Sequence, residues 1–174
     1  SFRFYDSKSL IRYNIENDDR FLYVTMDVMD NTTKLRMLRT GARLIFSEYG
    51  KRKEQAELHF PLVDDNTPVR LNPANHEMMP KDGSPKELRK LLPREGFFLR
   101  GDTTTIPLIG GIEQKDFLIK MKIDDQGVLV YNARIPLKEL TGFSESFSMG
   151  FETGAFDIDD PDYEKELQKT GAEG

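Results

Sequence analysis

Apolar and polar residues alternate along much of this chain, and the clearest alternation lies between residues 116 and 140. Every second residue is apolar from 117 to 123, and the same rhythm returns from 128 to 135. Strict alternation predicts strands with one buried face. Residues 125–127 supply turn chemistry, and Pro136 ends the pairing because it has no backbone N–H. The segment therefore predicts a β-hairpin, followed by a single helical turn.

Shorter stretches with the same rhythm predict further strands elsewhere in the chain. They cover residues 11–15, 21–30, 42–48, 55–62, 96–100, 104–112 and 147 to about 155, and residues 1–5 could add an edge strand. Turn-forming residues separate the first two of these stretches, and a basic turn separates the next two, so two more hairpins are expected. Strand–helix–strand alternation is missing. The pattern predicts an all-β fold, an antiparallel two-sheet β-sandwich of the jelly-roll or immunoglobulin-like type.

The rhythm breaks between residues 63 and 95, which hold five of the nine prolines. Within this long loop, Ser84 and Pro85 match an N-cap followed by proline at the first helical position, so one short helix is expected there. Residues 30–33 look like a loop, and residues 35–40 are ambiguous. The acidic segment 157–174 is expected to be an exposed tail. We place residues 1–174 in one domain.

Composition narrows the classes of partner. The net charge of −5 argues against a nucleic-acid partner and against a polybasic contact with membranes. No stretch approaches the roughly 20 apolar residues of a membrane helix, so direct membrane insertion is not expected. Cysteine is absent, which excludes disulfides and thiol catalysis. The first residue is Ser1 rather than Met, so we expect a trimmed or processed product whose targeting signal lay upstream.

Three groups of residues resemble the family-nine carbohydrate-binding-module-like domains, within the DOMON-like β-sandwiches. The first is 15–24, IENDDRFLYV, which is similar to that family's turn followed by a strand. The second is Gln126-Gly127 with Tyr131 and 133–140, ARIPLKEL, and the third is Met149-Gly150-Phe151. These groups follow the family's order and approximate spacing, and they span most of the chain.

The resemblance implies a β-sandwich fold. It also implies an exported bacterial protein, located in the periplasm or on the cell surface, that contacts carbohydrate or an envelope protein. Sugar binders of the family clamp their ligand between Trp side chains, and this chain has no Trp. The residues that carry binding in the family therefore transfer to no position here, and the ligand-binding residues stay unknown.

No pattern of residues selects a catalytic site. Glycosidases need two carboxylates across a cleft, and Asp27, Asp30 and Asp102 are candidates with no feature that pairs them. His59 and His76 would have to converge to form a dyad or metal site. Neither a nucleophile elbow nor a phosphate-binding glycine loop occurs. The densest acidic cluster could hold calcium only weakly, because its spacing does not fit an EF-hand; it consists of Asp157, Asp159, Asp160 and Asp162.

Aromatic and basic residues offer two more candidate surfaces. Phe97 and Phe98 are adjacent, so one of the two rings must leave the core side of its strand. Five tyrosines could supply rings for stacking; these are Tyr5, Tyr13, Tyr23, Tyr49 and Tyr131. The basic residues between 34 and 43 and between 51 and 53 indicate a solvated face.

The sequence thus favours a non-enzymatic, exported binding module without cofactor, with carbohydrate as one possible ligand class. A structural or protein-interaction module of the envelope is the alternative. A carboxylate-based glycoside hydrolase is the third hypothesis.

Overall fold

The computed structural model describes residues 2–48, 54–62, 84–92, 94–101, 104–140 and 147–153. Within these residues, ten strands form two antiparallel five-stranded sheets, which confirms the predicted all-β two-sheet sandwich. The first sheet has the order β1-β2-β3-β9-β8, and the second has the order β10-β4-β5-β6-β7. The strands are β1 Phe4–Asp6, β2 Ile11–Asn17, β3 Phe21–Val28, β4 Ala42–Glu48, β5 Glu54–His59, β6 Glu95–Arg100, β7 Thr104–Ile109, β8 Leu118–Ile123, β9 Leu129–Pro136 and β10 Phe147–Thr153.

The core lies between the sheets, and alternation along each strand selects its members. In β3 and β9 the apolar positions of the sequence pattern are buried, and the register pairs Val24 with Ala133 and Met26 with Tyr131. The second sheet contributes fully buried rings that meet rings of the first: Phe98 lies 4.9 Å from Phe117, and Phe60 lies 6.3 Å from Tyr131. Burial of such rings is the main stabilising contribution.

Among the described residues, two α-helices and one 3₁₀ helix accompany the strands. The 3₁₀ helix, Leu137–Leu140, is the helical turn predicted after Pro136. One of the α-helices differs from the sequence-based expectation. Residues 30–33 were expected as loop and 35–40 were ambiguous, but α1 spans Asn31–Thr40. Its interior begins with the weak helix formers Asn31, Thr32 and Thr33, which obscures the pattern. The helix forms because both ends are capped and one face is buried. Asp30 caps the N-terminus, and Gly41, at φ 78°, donates its N–H to Met37 O.

Replacing Asp30 by Ala should destabilise the fold by about 1 kcal/mol. The Asp30 side chain accepts hydrogen bonds from the Thr33 backbone N–H (2.8 Å) and the Thr33 hydroxyl (2.9 Å), and both are lost in Asp30→Ala. Urea unfolding followed by far-UV circular dichroism measures the change. Asp30→Asn, which keeps an acceptor oxygen, should stay within a few tenths of a kcal/mol of the parent, and equal loss in both variants would contradict the capping role.

The predicted short helix in the long loop is confirmed as α2, Pro85–Arg89. Ser84 caps it and Pro85 opens it, as the sequence indicated. Leu88 is buried against the core, and Arg89 donates to the carbonyl of Ile123 at 3.1 Å. The helix therefore packs against the turn between β8 and β9.

A buried lysine connects α1 to that same turn. Lys34 is only 5% exposed, and its ammonium donates to the carbonyl of Gly127 at 2.7 Å. Removal from water lowers the pKa of Lys34, while the nearby Asp30 and Asp124 carboxylates act in the opposite direction. Lys34 thus departs from the solvated basic face that the sequence indicated.

The two lateral edges of the sandwich differ. On the β7–β8 side, the backbone N–H of Gly111, just after β7, donates to the Ile119 carbonyl of β8 at 2.7 Å. This hydrogen bond connects the two sheets across that edge. On the other side, β1 and β2 of the first sheet face β10 of the second, and the inward side chains of β10 are only half-buried. Among the described residues, the sandwich is therefore tied together along one edge and open along the other.

Several sequence-based expectations fall outside the described residues. They concern the acidic tail at 157–174, the calcium candidates Asp157, Asp159, Asp160 and Asp162, the loop part at 63–83, and the side chains of Tyr49, His76 and Asp102. Among the described helices, none has the length and apolarity needed to cross a bilayer.

Candidate functional site

The outer face of the second sheet carries one cross-strand row of mixed chemistry. The register places one residue from each strand in line, from β10 at one edge to β7 at the other. The row reads Glu152, Arg43, His59, Phe97 and Pro107. The neighbouring row adds Glu57, which precedes His59 by two residues on β5 and so shares its face. Alternation thus places an acid–base–aromatic cluster on this face because its inward neighbours, such as Leu58 and Phe98, are core residues.

Arg43 connects the two carboxylates of the cluster. Its Nη1 donates to Glu57 Oε1 at 2.9 Å, and its Nη2 donates to Glu152 Oε2 at 2.6 Å. Its Nε also donates to Glu152 Oε2, at 3.0 Å. The side chains of Arg43 and Glu57 are 31% and 17% exposed, so solvent screens this pair less than a fully exposed one. The guanidinium therefore fixes both carboxylates in place.

His59 extends the network toward the aromatic end of the row. Its Nε2–H donates to Glu57 Oε2 at 2.6 Å, and its ring stacks on Phe97 with centroids 4.4 Å apart and planes 19° apart. Among the described residues, Nδ1 of His59 has no hydrogen-bond partner. No described side-chain nitrogen or oxygen is both buried and unpaired, so Nδ1 reaches solvent. The free nitrogen can serve a ligand as a hydrogen-bonding group.

A cleft of approximately 370 Å³ opens above one end of this cluster. Polar walls come from Arg43, His59 and Glu152, and apolar walls come from Leu62 and Phe97. The remaining lining residues are Thr40, Gly41, Ala42, Pro61 and Thr153. The cleft therefore combines fixed hydrogen-bonding groups with apolar surface, the usual make-up of a small-ligand site.

The formal charge of the cluster is not positive. Arg43 contributes one positive charge, and Glu57 and Glu152 contribute two negative charges. The sum is −1 with neutral His59 and zero with protonated His59. An anionic ligand would therefore find no unbalanced cation among these side chains.

The two glycosidase candidates that the structure describes have structural partners. Asp27 is paired with Arg12 at 3.2 Å on the outer face of the first sheet, and Asp30 caps α1. Neither carboxylate is among the residues that line the cleft described above. No group of three potential metal ligands occurs among the described side chains.

The four candidate tyrosines that the structure describes do not form a common platform. Tyr131 belongs to the core, and Tyr13 stacks on Phe4 with centroids 5.2 Å apart. Tyr5 and Tyr23 lie on the outer face of the first sheet, where the Tyr23 hydroxyl donates to Asp18 at 2.9 Å. That hydrogen bond raises the pKa of Tyr23.

Two expectations about side-chain direction hold, and one about Gly110 is corrected. His59 points to the face opposite Leu58, as its strand position predicted, and Phe97 is the ring that leaves the core while Phe98 is buried. Gly110 marks a close approach, since a Cβ there would lie 2.8 Å from the Phe60 ring. The adjacent glycines Gly110 and Gly111 predict a bulge or a close approach of two backbones, but the nearest group at Gly110 is a side-chain ring.

Sequence reasoning missed Glu57, Glu152 and the role of Arg43. A signal for two of them existed, because Arg43, Glu57 and His59 all take outward positions in two strands of one predicted hairpin. Glu152 could not be found this way, since it lies 109 residues from Arg43 along the chain.

Comparisons with protein-family models, curated proteins and solved structures found no match for this chain.

Proposed function

We propose that this β-sandwich is a non-catalytic, exported binding module that takes neutral carbohydrate in the cleft of the second sheet. The carrying observation is the continuous network Glu152–Arg43–Glu57–His59 beside the half-buried Phe97, which lines the cleft. Sugar hydroxyls both donate and accept hydrogen bonds, and pre-oriented carboxylate and imidazole groups suit them. Ring C–H groups of a sugar pack against apolar side chains, which Phe97 and Leu62 provide.

Two considerations support a neutral sugar. The cluster lacks net positive charge, so a uronic or sialic acid carboxylate would gain little from it. The carboxylates are also held before a ligand arrives, which lowers the entropy lost on binding. Export rests on the family resemblance alone.

Phe97→Ala should weaken oligosaccharide binding about tenfold, since an aromatic contact contributes up to roughly 1.5 kcal/mol. Isothermal titration against neutral, uronic and sialylated oligosaccharides measures this. Glu152→Gln keeps the shape but removes the charge that pairs with Arg43, and it should also weaken binding. The matched control is Glu16→Gln, an exposed carboxylate on the other sheet, which should bind as the parent does.

Absence of binding to every neutral sugar at millimolar concentration would count against this proposal, as would a preference for the acidic sugars. The hydrolase hypothesis receives a separate readout, the release of reducing ends during the same incubations. In this cluster both carboxylates accept hydrogen bonds from one guanidinium, an arrangement that suits ligand contact better than proton donation to a leaving group.

The protein-interaction alternative draws on the open edge of the sandwich. The edge strand β10 leaves one side of its backbone unpaired within the described sheet, and such strands can accept a strand from another protein. A partner that binds the edge would protect β10 amides from hydrogen exchange. A sugar in the cleft would instead shift the resonances of His59 and Phe97.

A further inference from the structure

The open edge of the sandwich contains a slot between the two sheets. It lies on the inner face of the second sheet, whereas the proposed carbohydrate site lies on the outer face. Its volume is approximately 290 Å³. Both sheets contribute to it, through β1, β2 and β3 on one side and β10 on the other. The lining residues are Asp6, Ser9, Ile11, Tyr13, Ile15, Val24, Met26, Met149 and Phe151.

The slot exists because the sheets separate at this edge. Tyr13, Ile15, Met149 and Phe151 occupy inward, core-facing positions, yet they are only partly buried. At the β7–β8 edge, where a hydrogen bond ties the sheets together, an inward residue such as Ile119 is fully buried. Apolar surface left this way favours an apolar occupant.

One charged group faces this apolar lining. Asp6 lies at the exposed mouth and is the only charged residue among those that line the slot. The Ser9 hydroxyl donates to its Oδ2 at 2.5 Å, and the Lys8 backbone N–H donates to its Oδ1 at 3.2 Å. These hydrogen bonds, led by that from Ser9, lower the pKa of Asp6, so the carboxylate is charged at neutral pH.

We infer that the slot binds an elongated apolar molecule with a cationic amine at one end, its chain between the sheets and its ammonium against Asp6. The volume corresponds to about ten water molecules at roughly 30 Å³ each, enough for an eight-carbon chain. Charge complementarity selects the head group: an ammonium is attracted to the Asp6 carboxylate, whereas a fatty-acid carboxylate is repelled. This site is independent of the proposed carbohydrate function.

Methyl-¹³C methionine NMR provides the test, with octylamine, octanol and octanoate as probes. Met26 and Met149 line the slot, whereas Met37 is a fully buried residue of α1 and serves as an internal control. We expect saturable chemical-shift changes of the Met26 and Met149 methyl groups but not of Met37. Affinity should decrease from octylamine to octanol to octanoate. No saturable shift with octylamine, or equal binding of octanoate, would overturn the proposal.

Two variants separate the head group from the slot. Asp6→Asn should reduce octylamine affinity by at least threefold and leave octanol affinity unchanged, with Glu16→Gln as the control for loss of an exposed charge. Ile15→Phe should fill the slot and abolish binding of both probes. Unchanged octylamine binding in Asp6→Asn overturns the head-group assignment. Shifts that appear on concentrating the protein without a probe would show that a second copy fills the slot instead.

Discussion

Gly96→Ala should be the most destabilising Gly→Ala substitution among the described glycines, costing about 3 kcal/mol or more. A Cβ on Gly96 would lie 2.3 Å from the His59 backbone carbonyl oxygen and 2.9 Å from the Phe60 ring. A side chain can rotate away from a clash, but this carbonyl belongs to β5, which is paired with β6 at this position. Strands β5 and β6 must therefore separate. Urea unfolding measures the loss, and Tm should fall by roughly 6–12 °C.

Two other glycines give matched comparisons. A Cβ on Gly150, in edge strand β10, would meet only the Ile45 side chain at 4.0 Å, so Gly150→Ala should be neutral or slightly stabilising. A Cβ on Gly110 would lie 2.8 Å from the far end of the Phe60 ring. Phe60→Leu should therefore partly relieve Gly110→Ala but not Gly96→Ala. A Gly96→Ala protein within 0.5 kcal/mol of the parent would refute the close-approach argument.

The Gly96 variant also connects stability to the site. His59 and Phe97 stack because the register of β5 and β6 pairs these two residues, directly beside Gly96. Moving these strands apart would displace the aromatic wall of the cleft. The oligosaccharide binding that we propose should therefore be lost in any Gly96→Ala protein that still folds, whereas Gly150→Ala should keep it.

At high pH, the buried Tyr131 should make the parent lose stability faster than Tyr131→Phe does. Its complete burial raises the pKa of the Tyr131 hydroxyl, because the phenolate would be removed from water. Above the unfolded-state value near 10, the unfolded chain releases this proton while the folded chain keeps it. The contribution of the protonated Tyr131 hydroxyl to stability is therefore fully present below about pH 10. Above that pH it falls by about 1.4 kcal/mol per pH unit.

The comparison of the two proteins isolates this contribution. Lys34 has a lowered pKa and acts in the opposite direction. As the pH approaches 10.5, the folded chain releases the Lys34 proton before the unfolded chain does, so this residue makes stability rise with pH. It is present in both proteins and cancels in the difference. Urea unfolding between pH 9 and about 11 should show a gap that widens with pH. Tyr23→Phe removes an exposed hydroxyl and should show a smaller gap from the parent. Parallel stability curves for Tyr131→Phe and the parent would contradict the prediction.

The strands were predictable because their signal is local. Alternation in 117–123 and 128–135 fixed β8, β9 and the inward residues, and the pattern of Ser84 and Pro85 fixed α2. Helix α1 was missed because its stability comes from the Asp30 cap, the Gly41 end and the burial of Leu35 and Leu38 rather than from strong helix formers. Local propensity is weak there, and tertiary contacts override it.

The sequence by itself determined two layers of antiparallel strands and which side chains face the core, because a strand's two-residue period assigns every residue to a face. It could not determine which strands are neighbours across long chain separations. Only the tertiary structure placed β10 beside β4, and so Glu152 beside Arg43, and left the edge between β1 and β10 open. Both the cleft and the slot depend on those neighbours, since pairing between distant strands is decided by how the sheets bury their apolar faces together.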